Sequence, residues 1–171
     1  MATRRQFIKA GAAGALLLAG VAFLAAPEAE RHGPRPHGAA WLTARDAAVL
    51  AVIAPVMLGV PGLPVAAVVE GVDEAVLALS APVRAEVRQL LDILGHPWGR
   101  RWLAGIASPW SLAGAADVAR FLDAWRASRF ALLRAGYQAL HALLCAAWYG
   151  NPASWARIGY QPPGTIMEFI R

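Results

Sequence analysis

Between residues 41 and 155, apolar side chains recur three or four apart, and proline or glycine breaks the pattern at short intervals. No stretch alternates polar and apolar residues as a half-buried strand would. The chain is therefore restricted to helices joined by short turns and packed through apolar stripes, an all-α small bundle. Thr43 is placed to cap the first helix, and Asp46 sits in its first turn, where negative charge is favoured. Pro55 lacks an N–H and clashes with the preceding turn, so a kink or stop is expected near it. A second helix is expected over 65–79. A third opens at Ser80-Ala81-Pro82 and ends at Gly95, with Val83, Val87, Leu90, Leu91 and Leu94 inward and Arg84, Glu86, Arg88 and Asp92 outward. A short helix is expected around 99–107 and another over 117–127, with Val118, Phe121, Leu122 and Trp125 inward. The longest runs from Arg129 or Phe130 to Tyr149, with Phe130, Leu133, Tyr137, Leu140, Leu144 and Trp148 as its stripe.

The hydrophobic share, 58%, exceeds the ~45–50% of ordinary soluble domains. Membrane-related segments must therefore be sought. Ala47 to Val69 carries no charge. However, Pro55, Gly59, Pro61, Gly62 and Pro64 would leave backbone groups unpaired in lipid, so this stretch reads as a buried helix and a loop.

The N-terminus has the shape of an export address. Thr3-Arg4-Arg5-Gln6-Phe7-Ile8-Lys9 precedes an uncharged run, Ala10 to Ala26, diluted by glycine and alanine. Arg4, Arg5, Phe7, Ile8 and Lys9 resemble the twin-arginine signal consensus, which a translocase receptor reads. Residues 1–29 are thus expected to be a signal, cleaved near Ala26 or Ala29 or retained as an anchor. Residues 30–40 form a Pro/Gly-rich linker, and 41–171 the helical domain. His32 and His37 read as linker residues rather than metal ligands.

Chemistry-bearing residues are sparse. One cysteine excludes an intramolecular disulfide and a four-cysteine metal site. His141 and Cys145, four apart on the long helix, could form a nucleophilic dyad if the thiolate were stabilised. A small hydrophobe beside a satisfied core histidine is the plainer reading. Glu70, Asp73 and Glu74 read as a solvated acidic face. Nucleic acid is not an expected partner. Loss of residues 1–29 takes the net charge from +5 to +3, and the remaining arginines are scattered.

The C-terminal region is the most specific. Trp148-Tyr149-Gly150-Asn151-Pro152, then Trp155 and Ile158-Gly159-Tyr160, reads as a helix end, a capped turn and an apolar fold-back. This run resembles the C-terminal signature of the gluconate 2-dehydrogenase subunit 3 family, small subunits of periplasmic flavin-dependent dehydrogenases. Trp41-Leu42-Thr43-Ala44-Arg45-Asp46 is similar to that family's N-terminal element.

The resemblance implies a non-catalytic subunit without its own cofactor. Its expected partners are a catalytic flavoprotein of the glucose–methanol–choline class carrying FAD, a cytochrome c subunit and the twin-arginine translocase. The small subunit would escort, mature and stabilise the flavoprotein during export to the periplasm. A membrane anchor for the same complex, or a small enzyme using His141 and Cys145, are the alternatives. Aromatic residues and arginine are enriched at binding hot spots, which nominates Trp98, Arg100, Arg101, Trp102, Trp110, Trp148, Tyr149, Asn151, Trp155 and Tyr160 as partner-facing.

Overall fold

A computed structural model describes residues 38–155 and 159. The signal residues Arg4, Arg5, Phe7, Ile8 and Lys9, and Tyr160, lie outside the described residues. The protein is an all-α bundle. Its helices are α1 (Ala44–Leu58), α2 (Val65–Leu77), α3 (Ala81–Gly95), α4 (Pro97–Trp102), α5 (Ala115–Arg126), α6 (Ala131–Tyr149) and α7 (Pro152–Trp155), with a 3-10 turn at Trp110–Leu112. Among the described residues, no helix is long and apolar enough to cross a membrane.

Helix α1 is central. It packs against α2, α3, α5, α6 and the 3-10 turn, with Val49, Leu50, Ile53 and Ala54 buried. A helix enclosed on so many sides must be apolar around much of its circumference, which is why 47–69 mimics a membrane span. It starts with a full capping box. The Thr43 hydroxyl oxygen accepts the Asp46 N–H at 3.3 Å, and Asp46 Oδ2 accepts the Thr43 N–H at 2.8 Å. The stop expected near Pro55 falls one turn later, at Gly59. Gly59 adopts the left-handed conformation (φ 62°) and donates its N–H to the Pro55 carbonyl. Pro55 thus lies within the helix, where it removes one backbone bond without ending it.

Helix α2 lies along α6, and their separation is set by two small residues. A Cβ on Gly71 would sit 3.1 Å from Ala147 Cβ. Phe121 joins α5 to the 3-10 turn by an edge-to-face contact with Trp110 (6.1 Å between centroids) and makes a second one with Trp125 (4.8 Å), one turn along its own helix.

Two expected inner-stripe residues are not inside. Val83 is 41% and Phe130 56% exposed. Val83 lies in the first turn of α3, beyond the cover of neighbouring helices. Phe130 precedes α6 rather than lying on its stripe, and its ring is covered on one face by the Arg129 guanidinium at 4.8 Å.

Two polar expectations are also corrected. Arg88, assigned outward, reaches back to α1. Its Nη1 and Nη2 donate to the two oxygens of Asp46 at 2.8 and 2.5 Å, and its Nε donates to Asp92 at 3.0 Å. Asp46 is only 1% exposed, and Arg88 also stacks over Trp41 at 4.8 Å. Asp73, assigned to a solvated face, is buried. Its carboxylate accepts the N–H groups of Ala40, Trp41 and Leu42 at 2.8, 3.0 and 2.6 Å. The segment entering the bundle is therefore held at its backbone by Asp73 and at its indole by Arg88. Trp41–Asp46 forms a structural clasp.

Candidate functional site

The sharpest surface feature is the α3–α4 corner. His96 ends α3 in an extended conformation (ψ 136°) and at the same time opens α4, its Nδ1 accepting the Trp98 N–H at 3.2 Å. Pro97 takes the first helical position, where its missing N–H costs nothing. Gly99 then faces α3 so closely that a Cβ would fall 1.9 Å from the Ile93 carbonyl oxygen. Trp98 and Trp102, one turn apart on this short helix, are 48% and 69% exposed. Arg101 is exposed beside them, while Arg100 is half-buried. The far end of α4 is pinned where the Leu103 carbonyl accepts the Trp125 indole N–H at 2.9 Å. A rigid corner thus presents two indole faces and a guanidinium to solvent.

The other nominated residues divide. Trp110 and Trp148 are 5% and 3% exposed and belong to the core. Their rings are occupied by intramolecular packing, so they leave the docking set. Trp110 also spends its indole N–H on the Leu94 carbonyl, at 2.7 Å.

Tyr149, half-exposed, stands at the end of α6. Asn151 turns the chain there, its Oδ1 accepting the Ala153 N–H at 2.9 Å, so its role is a cap. Trp155 is half-buried and folds back to donate its indole N–H to the Tyr149 carbonyl at 2.9 Å. The candidates are therefore spread over the α4 corner and the α6–α7 turn. Leu112, 74% exposed on the 3-10 turn, was missed. Its polar and glycine-containing surroundings, Ser111 and Gly114, were the available signal.

His141 and Cys145 are brought together, with Sγ 3.6 Å from Nε2. Neither is a core residue as expected. His141 is exposed with Tyr137 stacked on it at 6.0 Å, and Cys145 is half-buried. Burial pushes the Cys145 thiol above its ordinary pKa. That direction favours the protonated thiol over the nucleophilic thiolate.

No protein-family model, curated protein or solved structure matches the chain.

Proposed function

We propose that this chain is a non-catalytic small subunit that escorts, matures and stabilises a flavin-dependent dehydrogenase during twin-arginine export to the periplasm. The observation that carries the docking role is the solvent-facing Trp98/Trp102 pair beside Arg101. A bundle of this size can bury indoles, as it does Trp110, Trp125 and Trp148. Two tryptophans held outward on a pinned helix match the composition of binding hot spots.

The kind of partner rests on the sequence. The 148–160 run and the Arg4–Lys9 leader resemble the subunit 3 family, whose partner carries FAD, with a cytochrome c subunit completing the electron path. In this reading the small subunit supplies the address and a rigid docking face, and the partner supplies the flavin chemistry. Docking precedes translocation, because the twin-arginine route carries folded proteins.

The test is a tagged pulldown from periplasm. A co-purifying protein with a flavin spectrum is expected, and it should be lost when Trp98 and Trp102 are both changed to Ala. Arg4→Lys with Arg5→Lys should strand the flavoprotein in the cytoplasm. A colourless lone chain, or unchanged periplasmic dehydrogenase activity in the Lys variant, would overturn the proposal.

A further inference from the structure

A groove of about 550 Å³ runs between α1 and α2. Leu42, Ala51, Val65 and Val69 supply an apolar floor, and the exposed Glu70 and Glu74 lie along its rim. Asp73 also lines it, but its carboxylate is committed to three backbone N–H groups. A space within the roughly 300–1,000 Å³ of ligand pockets takes a few side chains, not a further helix. Its fitting occupant is apolar and cationic at once.

The α4 corner has that composition. Trp98 and Trp102 expose their indoles, and Arg101 is exposed beside them. Among the described residues, no carboxylate pairs with Arg100 or Arg101, and the buried Arg100 Nε has no acceptor. The spacings also agree. The two indoles are one turn apart on α4, and Glu70 and Glu74 are one turn apart on α2, so the Cβ atoms of each pair are about 5–6 Å apart.

One molecule cannot make this contact with itself. The Arg45 stem lies against Gly95, which closes α3 just before the corner; a Cβ there would fall 2.6 Å from Arg45 Cδ. Ala47, which lines the groove, is two residues further along, about 200° around α1. Corner and groove therefore open on opposite flanks of α1, and two copies cannot engage each other reciprocally.

We propose that the α4 corner of one copy of this chain docks into the α1–α2 groove of a second copy, with the indoles on the apolar floor and Arg101 against Glu70 and Glu74. The contact joins two different surfaces, so a bound pair still offers one free groove and one free corner. Such a head-to-tail contact extends as a chain or closes into a ring of more than two copies. Trp and Arg are enriched among the residues that dominate binding energy at interfaces. The inference goes beyond the escort reading and does not rest on it.

The test is sedimentation velocity of the purified full chain at increasing concentration. The wild type should grow past the size of a dimer. Trp98→Ala with Trp102→Ala removes the corner, and Glu70→Lys with Glu74→Lys reverses the groove. All four positions are exposed, so the fold should persist, which unchanged helicity by circular dichroism checks. Each variant alone should associate at least about tenfold more weakly, because one lacks the anchoring indoles and the other opposes like charges. Mixed in equal amounts, the two should form a heterodimer, the intact groove of the first receiving the intact corner of the second, and growth should stop there. Arg101→Glu should weaken association, and combining it with Glu70→Lys and Glu74→Lys should restore it.

A chain that stays monomeric, a wild type that stops at a dimer, or variants that fail to complement each other would overturn the proposal. So would association that persists in either variant alone, which would place the contact elsewhere. Should the charge reversal alter helicity, Ala66→Trp replaces it, filling the groove from an exposed position. The escort reading is tested separately by the flavoprotein pulldown, and either result can fail while the other stands.

Discussion

Arg88 and Asp46 offer the most quantitative test of the architecture. Asp46 is buried and accepts four hydrogen bonds, two from Arg88 and two from Thr43. Arg88 is three-quarters buried, so solvent screens the pair weakly. Breaking a buried pair by removing one partner costs about 3–5 kcal/mol, because the other charge is left uncompensated. Arg88→Met keeps the apolar stem and removes the charge. It should lower the unfolding free energy by that amount, and Tm by roughly 2–4 °C per kcal/mol.

Asp46→Asn should be similarly costly, since it also weakens the α1 cap. The double variant should lose less than the sum of the single losses, the difference being about 0.5–3 kcal/mol. Urea unfolding of the full chain, followed by tryptophan fluorescence, measures all three. As an internal control, Arg120→Met removes an exposed pair with Asp117 and should change stability by less than about 1 kcal/mol. An Arg88→Met cost as small as that control would refute the buried-clasp account.

The pair also has a defined pH signature. Burial lowers the Arg88 pKa, but the hydrogen bond and charge of Asp46, and then Asp92, outweigh it and raise the value above that of ordinary arginine. A raised folded-state pKa contributes stability that is intact below the unfolded value and lost only as pH climbs through the folded one. Arg88 therefore adds no pH dependence across the neutral and mildly alkaline range.

Asp73→Ala leaves three backbone N–H groups without their acceptor. It should cost about 2–4 kcal/mol and speed amide exchange at residues 40–42. Gly99→Ala drives a methyl group into the Ile93 carbonyl and should destabilise by about 1–3 kcal/mol in a thermal melt, while shifting the fluorescence of the exposed indoles. The Cys145 thiol, raised by burial, should alkylate with a pH midpoint above that of a free thiol. A midpoint below it would revive the nucleophile reading. Because the raised thiol favours the neutral form, its contribution to stability is intact below the ordinary thiol pKa and declines as pH rises past it.

The helices were legible because their signals are local. The Thr43 cap, the Gly95 stop, the Val118/Phe121/Leu122/Trp125 stripe and the Tyr149–Gly150 end each need only a few neighbouring residues. Arg88 and Asp73 were misread because periodicity gives the face of a helix, not what arrives opposite it. Arg88 finds Asp46 across 42 positions, and Asp73 finds Leu42 across 31. Helical phase puts both near the edge of a stripe, where either solvent or another segment can take the polar group. The tryptophans were ambiguous for a related reason. An indole serves equally as core filler or docking face, and the exposure of Trp98 and Trp102 is set by how α4 packs against α3, where Gly99 meets Ile93, a long-range fit invisible in the sequence.

The clasp also changes how the two family-like segments should be weighed. Every polar group in Trp41–Asp46 that the structure explains is used inside the bundle: backbone N–H groups on Asp73, the indole under Arg88, and Thr43 with Asp46 in the cap. At the α6–α7 turn, by contrast, Asn151 and Trp155 close the turn, yet Tyr149 stays half-exposed. Residues 41–46 are thus committed to the bundle itself, while Tyr149 is the residue of the two segments that presents half of its surface to solvent. Replacing Tyr149 with Ala should leave the bundle intact and weaken partner capture, whereas changes in 41–46 should reduce capture only to the extent that they unfold the bundle.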